Sequence, residues 1–282
     1  AATDNGVGIA GVAWGARIMP VKAMDAQGQG TLSGIAEAMV WATDNGARVI
    51  NLSLGGRTAE AILEDAVVYA HARGAVVVAA AGNNGEADVL YPAAYPGALG
   101  IGATTRADTK ATFSNWGPAL DLVAPGWQIL TTDLGDAYGT YDGTSEATAV
   151  VSGLAALLIA QRPSRSPDDV AGILARTAVD LGAPGRDDFF GHGRVDAAAA
   201  LAAQPGPPTP APTPTRAAAC RSYHIDLVAF PDTVGVGGFG CMGCDRVFGG
   251  GDKWSAAQCG LTPLRVTITG AGGAVVADRV LA

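Results

Sequence analysis

The stretch that decides the fold is residues 47–85, which read ARVINLSLGGRTAEAILEDAVVYAHARGAVVVAAAGNNG. Two short apolar runs of strand type, Arg48–Leu54 and Ala75–Ala81, lie on either side of a helical pattern over Ala59–Ala72. Continuous apolar runs of this length are typical of strands that are buried on both faces of a sheet. A strand, a helix and a second strand in this order predict a parallel pair joined by a crossover helix.

The same alternation continues on both sides of this unit. Further strands are predicted at Arg17–Ala23, Ala98–Ala103, Leu120–Ala124 and Gln128–Thr132. Further helices are predicted at Ser33–Asp44, Ser145–Gln161, Pro167–Thr177 and Val195–Ala203. The pattern therefore predicts an α/β fold, a parallel sheet with helices on both faces, and it places function at the carboxyl ends of the strands.

The composition limits the classes of protein that fit. Of the 282 residues, 49% are hydrophobic but only 6% are aromatic, so we expect a large core built from aliphatic side chains. The net charge of −8 argues against a nucleic acid or an anionic membrane as partner. No apolar run reaches the roughly 18 residues of a membrane span. We expect a soluble protein that acts as a monomer.

Three parts of the chain differ in composition. Residues 1–203 are apolar and carry the α/β pattern. Residues 204–216, QPGPPTPAPTPTR, are rich in Pro and Thr and predict an extended linker. In residues 217–282, the strand-like runs Tyr223–Phe230 and Leu264–Thr269 predict a small β-rich module, which ends abruptly and is expected to be incomplete.

All four cysteines lie in this last part of the chain. They are Cys220, Cys241, Cys244 and Cys259. Only one CxxC knuckle is present and no βα context surrounds it, so disulfides are favoured over a zinc site or a thioredoxin-type motif. The three possible pairings stay open.

Two polar residues next to glycines could carry chemistry. Ser145 follows Gly143 at the start of an apolar helix, where unpaired N–H groups and the helix dipole favour a developing negative charge. Asn83 follows the strand Ala75–Ala81 and could donate an amide hydrogen bond to an oxyanion. On residue type alone, a plain N-cap serine and a plain Asn-Gly turn are the alternatives.

These residues belong to segments that resemble the subtilisin-like serine proteases, or subtilases, over about residues 1–203. Residues 143–153, GTSEATAVVSG, are similar to the nucleophile segment of that family. Ala81–Asn83 resembles its oxyanion segment, and Val49–Gly56 resembles its substrate-binding strand. Five further runs match in order: Met19–Gly30, Tyr91–Pro96, Phe113–Gly117, Val123–Gly126 and Gly191–Val195. This ordered set identifies the chain as a suspected subtilase.

The resemblance implies a role for each matched residue in a secreted serine endopeptidase that acts on polypeptides. Ser145 would be the nucleophile, and Asn83 would donate to the oxyanion. Two edges would pair with an extended substrate, one formed by Ser53, Leu54 and Gly55 and the other by Gly28, Gln29 and Gly30. A wide apolar S1 pocket would have these walls: Ser53, Leu54, Gly55, Ala80, Ala81 and Gly82, with Ala93 near its base.

The chain departs from the family pattern in two respects. Glu146 stands where Met is common, so close to the nucleophile that it could alter substrate preference. The Asp and His segments of the family are absent, and His71, His192 and His224 do not match the catalytic position. We therefore expect an N-terminally truncated protease domain, inactive alone, whose Asp and His lie upstream.

Two other classes of function remain as alternatives. A subtilase fold that has lost its catalytic residues and only binds peptides would show the same segments. A serine-carboxyl peptidase of the sedolisin type shares Gly-Thr-Ser, but it uses an Asp in the oxyanion hole, so Asn83 argues against it.

The stretch Thr3–Ile9, TDNGVGI, resembles a calcium-binding loop of the family. The implied ligands are the Asn5 side chain and the backbone carbonyls of Thr3, Val7 and Ile9, because oxygen donors suit a hard cation. A plain turn is the alternative. No cofactor is required for the chemistry itself.

Overall fold

The computed structural model describes Thr3, residues 5–203 and four strands at 221–226, 253–258, 264–269 and 275–281. The contacts divide the chain into two compact units, Ala1–Thr209 and Pro210–Ala282. The first unit contains the predicted α/β pattern, and it holds every residue of the candidate site.

The helices and strands of the first unit follow one another in the predicted order, with small shifts at their ends. In chain order they are α1 Leu32–Asp44, β1 Val49–Leu52, α2 Ala61–Ala72, β2 Val76–Ala80, β3 Ala98–Thr104, β4 Leu122–Pro125, β5 Ile129–Asp133, β6 Ala137–Tyr141, α3 Thr144–Gln161, α4 Pro167–Thr177 and α5 Ala197–Ala202.

Strands β1 to β4 form a parallel sheet in that spatial order. All five residues of β2 are buried, and the first four alternate between two cores. Val77 and Ala79 pack with α1 and α2, whereas Val76 and Val78 pack with α3 and α4. The prediction of an α/β fold with helices on both faces is confirmed.

Helix α3 is the central helix of one face. It spans 18 residues with a mean hydropathy of 1.3, so by length and composition it could cross a membrane, which corrects the expectation that no apolar run is long enough. Its buried residues include Ala147, Val151, Leu154 and Leu158, and they pack against side chains of β2, β3 and β4. A core helix of a globular domain has this environment.

Two helix starts show how the local sequence sets the boundaries. Thr31, rather than Ser33, caps α1, because its hydroxyl accepts a hydrogen bond from the backbone N–H of Gly34. At α4, Ser166 and Asp169 form a reciprocal capping box, and Pro167 occupies the first turn, where its missing N–H has no consequence.

Three details of the predicted topology are wrong. Arg17–Ala23 is not a strand, since no neighbouring strand pairs with it among the described residues. The run Gln128–Thr132 does contain β5, but β5 pairs in antiparallel fashion with β6 in a separate two-stranded sheet. Strand β6, Ala137–Tyr141, is missing from the predicted elements.

The second unit is described by four strands, β7 Arg221–Asp226, β8 Lys253–Gln258, β9 Leu264–Thr269 and β10 Val275–Leu281. They form an antiparallel sheet in the order β10-β9-β8-β7. The predicted linker 204–216 and all four cysteines lie outside the described residues, so the disulfide prediction stays a prediction.

Candidate active site

The site lies where three elements meet at the carboxyl edge of the parallel sheet. Ser53 follows β1, Asn83 follows β2, and Ser145 lies in the first turn of α3. The hydroxyl of Ser53 donates a hydrogen bond to the backbone carbonyl of Ser145 over 3.1 Å. Strand order therefore brings together residues that are up to 92 positions apart in the sequence.

The side chain of Asn83 is held in one orientation by Thr144. Its Oδ1 accepts hydrogen bonds from both the backbone N–H and the hydroxyl of Thr144, each over 2.8 Å. The hydroxyl of Thr144, which is fully buried, also accepts a hydrogen bond from the N–H of Gly82. Because Oδ1 is engaged, the Nδ2 of Asn83 is left as the outward-facing donor of this exposed side chain.

Two hydrogen-bond donors converge beside Gly143, the N-cap of α3. A Cβ placed on Gly143 would lie 3.5 Å from Asn83 Nδ2 and 3.5 Å from the backbone N of Ser145. The N–H groups of a helix's first turn have no partner within the helix, and the helix dipole makes that end positive. This arrangement can bind an oxygen that carries negative charge.

The carboxylate of Glu146 lies against the same glycine. A Cβ on Gly143 would collide with Glu146 Oε2, which places an acidic oxygen within a few ångströms of both donors. Nearby, the hydroxyl of Tyr141 donates to Asp133 over 2.5 Å. That hydrogen bond raises the pKa of Tyr141 and lowers the pKa of Asp133, and the charge of Glu146 adds a small increase to the Tyr141 pKa.

Sequence reasoning missed the role of Asn115, which is fully buried behind the Asn83 loop. Its Oδ1 accepts hydrogen bonds from the N–H groups of Asn84 and Glu86, and its Nδ2 donates to the carbonyl of Asp88. Its own N–H donates to the carbonyl of Gly82. The signal was present in the matching run Phe113–Gly117, but a lone asparagine there does not reveal which loop it holds.

The predicted S1 walls come together, but a leucine lies between them. A Cβ on Gly55 would lie 3.1 Å from the Cβ of Leu90, and a Cβ on Gly82 would lie 2.8 Å from its Cγ. Gly82 has φ of +114°, which also requires glycine there. The side chains of Ala81 and Ala93 belong to the core with α1 and α2, and Ala80 is also buried. Leu90 therefore lies close to both glycines, in the region where the sequence predicts the wide pocket.

The second predicted substrate edge is an exposed loop that Asp25 organises. Its Oδ1 accepts hydrogen bonds from the N–H groups of Gln27 and Gln29, both over 2.9 Å, and its own N–H donates to the carbonyl of Gln29. The N–H of Gly28 donates to the carbonyl of Asp25. Within the described part of the chain, the carbonyl of Gly28 and both backbone groups of Gly30 therefore stay available for pairing.

The predicted calcium ligands Thr3, Asn5, Val7 and Ile9 line one concave surface of the chain. Gly6 and Gly8 both have φ of +73°, and this backbone conformation bends the loop around the concave surface. The Oδ1 of Asn5 accepts a hydrogen bond from the N–H of Val7 over 3.2 Å. Across the described residues, no cluster of three or more His, Cys, Asp or Glu side chains is arranged to hold a metal.

The histidines whose side chains the structure describes lie elsewhere. The side chain of His71 is 25% exposed, and its Nε2 lies 3.0 Å from an Asp168 carboxylate oxygen. The backbone N–H of His192 donates to the carbonyl of Asp121. Among the described residues, neither imidazole forms a hydrogen bond with Ser145.

Comparison with known proteins gives one consistent result. The model of the subtilase family matches residues 1–193. Subtilisin BL of Lederbergia lenta is 43% identical over 200 residues, which are 71% of this chain and 73% of that protein. The thermophilic serine proteinase of Bacillus sp. (strain AK1) is 45% identical over 196 residues, but these are only 48% of its length.

Solved structures agree with these sequence matches. A protease from Pseudoalteromonas arctica superposes with a TM-score of 0.67 at 34% identity, covering 72% of this chain and 67% of that one. A lanthipeptide protease superposes with a TM-score of 0.60 at 29% identity, covering 64% and 68%.

Proposed function

Because this chain belongs to the subtilase family of serine proteases, we propose that it supplies the nucleophile and the oxyanion hole of a secreted endopeptidase. The observation that carries the proposal is the convergence of Asn83 Nδ2 and the Ser145 N–H beside the nucleophile. Two donors whose nitrogen atoms lie 3.5 Å from one common point can favour the negative oxygen of a tetrahedral intermediate over the neutral carbonyl of the substrate.

The reaction follows from this geometry. The Oγ of Ser145 attacks the peptide carbonyl carbon, and its proton passes to a general base. Asn83 and the Ser145 N–H bind the oxyanion that forms. The C–N bond then breaks, the amine leaves with the proton from the base, and water hydrolyses the acyl-enzyme. The base in this proposal is a histidine that an aspartate orients, both from a part of the protein that precedes residue 1.

Substrate binding uses the two edges described above. An extended polypeptide would lie between Ser53, Leu54 and Gly55 on one side and Gly28, Gln29 and Gly30 on the other, by strand addition. Its side chain before the scissile bond would enter the pocket walled by Ala80, Ala81 and Gly82, with Ala93 beneath. Since Leu90 occupies part of the space between Gly55 and Gly82, we propose a preference for small apolar side chains.

Calcium at Thr3, Asn5, Val7 and Ile9 is a separate proposal. The donor set fits a hard cation in kind, because it consists of oxygens on a curled, Gly-containing loop. Such an ion would act on stability and would take no part in peptide hydrolysis. We expect a chelator to lower the melting temperature of the full-length protein, and Asn5→Ala to reduce that difference. Equal melting temperatures with and without chelator would contradict this proposal.

We also propose that the protein acts outside the cell as a monomer, without a nucleic-acid partner. The chain has 26 acidic and 18 basic residues, and this acidic excess supports the absence of a nucleic-acid partner, since nucleic-acid binding favours basic surfaces. Immunodetection of the native protein in cells and culture medium tests the location, and size-exclusion chromatography tests the monomer.

The decisive test compares two serines of helix α3 in the full-length gene product. Ser145→Ala should reduce peptide hydrolysis to background, because no nucleophile remains. Ser152→Ala is the matched control, since the hydroxyl of Ser152 hydrogen-bonds to Asn51 and has no proposed catalytic role. Full hydrolysis by Ser145→Ala would overturn the proposal, and a wild-type protein that binds peptides without cleaving them would favour the inactive alternative.

A further inference from the structure

The surface next to Ser145 on the side of the β5–β6 hairpin carries one sign of charge. Residues 127–146 contain four acidic residues and no basic residue. Two of these acids are engaged within the hairpin region, Asp133 with the Tyr141 hydroxyl and Asp142 with the N–H of Gln128. Asp136 and Glu146 have no hydrogen bond or ion pair within the described part of the chain, and of these two Glu146 is the one that lies against Gly143.

An unpaired carboxylate at this position acts against the proposed chemistry. Glu146 Oε2 lies against Gly143, a few ångströms from the two donors that would bind the oxyanion. A negative charge that close to a developing oxyanion disfavours the transition state through Coulomb repulsion, which is strong where solvent is partly excluded. The half-buried Glu146 therefore opposes catalysis unless a cation neutralises it.

The geometry also provides a place for that cation. Ser53, which follows β1, donates a hydrogen bond to Ser145. Gly55 and Leu90, which border the proposed pocket for the side chain before the scissile bond, lie on this same side of the nucleophile. Glu146 Oε2 lies against Gly143, which follows strand β6 of the hairpin by two residues, so the carboxylate lies on the hairpin side of the nucleophile. Tyr141 is 41% exposed, so its ring is accessible and can contact an ammonium or guanidinium group.

We propose that Glu146 is a specificity-determining residue that selects substrates with Lys or Arg immediately after the scissile bond. The cationic side chain pairs with the carboxylate, gains a charge-assisted hydrogen bond and removes the repulsion at the oxyanion hole. This inference rests on the proposed function, because it assigns a recognition role within the same site.

The test uses the full-length gene product and internally quenched peptides that differ only in the residue after the cleaved bond, which is Lys, Gln or Glu. Mass spectrometry of the products verifies the cleavage position. The wild type should cleave the Lys peptide with a kcat/KM at least about tenfold above that for the Gln peptide, the scale of one charge-assisted hydrogen bond. The Glu peptide should be the poorest substrate.

Two variants and one control separate recognition from other effects. Glu146→Gln should bring the Lys-to-Gln ratio close to one and should accelerate cleavage of the Gln peptide, because the repulsion is gone. Glu146→Lys should invert the preference toward the Glu peptide. Glu37→Gln, the same substitution on the exposed face of α1, should leave all three rates unchanged.

Each other outcome overturns the inference. An unchanged ratio in Glu146→Gln shows that Glu146 does not select the residue after the bond. Loss of cleavage of every peptide in Glu146→Gln assigns Glu146 to the chemistry itself. If the wild type cleaves none of the peptides and Ser145 resists acylating probes, the proposed function fails as well.

Discussion

Two stretches of this chain, both predicted as strands, have opposite fates in the structure. Val76–Ala80 forms the fully buried strand β2, and Val78 in it has no exposed surface. Arg17–Ala23, which contains Pro20, is also predicted as a strand, yet it forms none, and Ile18 in it is 84% exposed. Strand propensity therefore decides little without neighbours to pair with.

The difference also explains where the site can form. Val76–Ala80 has a paired strand on each side and helices on both faces, so the Gly82–Asn83 turn that follows it is held firmly. Residues 7–21 are mostly exposed, although Val12 lies against Gly153 of α3. Each of the following predictions tests one side of this contrast.

The largest expected effect is at Asn83, where the ordered stretch ends. Asn83→Leu removes the Nδ2 donor while keeping similar volume, and kcat should fall by about 10²–10³, the range measured for such a donor in a subtilisin. KM should change little, because the donor acts mainly on the transition state. Asn84→Ala is the control and should retain near-normal kcat. A less than twofold change in Asn83→Leu would contradict the oxyanion assignment.

The second prediction compares stability in the two regions of the 282-residue chain. Leu154→Ala removes a 1% exposed side chain of α3 and should lower the free energy of unfolding by about 2–5 kcal/mol. Ile18→Ala should change it by less than about 0.5 kcal/mol, because Ile18 is already exposed. Chemical denaturation measures both. Equal losses would break the contrast and show that residues 17–23 are packed in solution.

The third prediction concerns a carboxylate enclosed in the ordered region. Burial raises the pKa of Asp121 from its ordinary 3.8 to about 6, against smaller opposite effects of the Gly100 N–H and the Arg186 charge. The folded state thus favours the protonated form, so the contribution of Asp121 to stability is present below about pH 4 and is lost as the pH rises through 6.

Asp121→Asn should keep the hydrogen bond from Gly100 and remove this pH dependence. Relative to the wild type, the variant should be about equally stable at pH 4 and more stable by up to about 3 kcal/mol at pH 7. Chemical denaturation of both proteins between pH 4 and pH 7 measures the difference in their free energies of unfolding. A difference that stays constant with pH would contradict an elevated pKa at Asp121.

The smallest expected effect concerns the pocket beside the ordered turn. Leu90→Ala should open the space between Gly55 and Gly82 and shift preference before the scissile bond from Ala toward Phe. We expect a change of about tenfold in the ratio of kcat/KM values, the scale of a few methylene contacts. Leu134→Ala, at a 92% exposed position, serves as the control. An unchanged ratio would mean that Leu90 does not border the substrate.

Much of the fold follows from local sequence, because buried strands and capped helices leave short-range signals. β1 and β2 lie within the predicted runs, β3 and β4 each extend one residue past them, and α4 has its predicted bounds. The failure at Arg17–Ala23 has a physical cause, since pairing is a property of two strands and one sequence run shows only one of them.

The candidate site was also predictable only in part from the sequence. The matching segments identify Ser145 and Asn83 as candidates. They do not reveal that Thr144 donates two hydrogen bonds to the Asn83 side chain and so fixes its orientation. The bonds of Asn115 and the position of Leu90 between two glycines also depend on loops that meet only in three dimensions. Sequence patterns show which residue types are available, whereas contacts across the sheet edge decide how they are oriented.

The most direct test of the central claim is to treat the full-length gene product with a fluorophosphonate probe and locate the adduct by peptide mapping. We predict a single phosphonylated residue, Ser145, with much slower labelling in Asn83→Leu, because the probe's oxyanion uses the same two donors. Labelling of another serine, or none at Ser145 in a folded wild-type protein, would contradict the claim that this corner of the sheet is the active site.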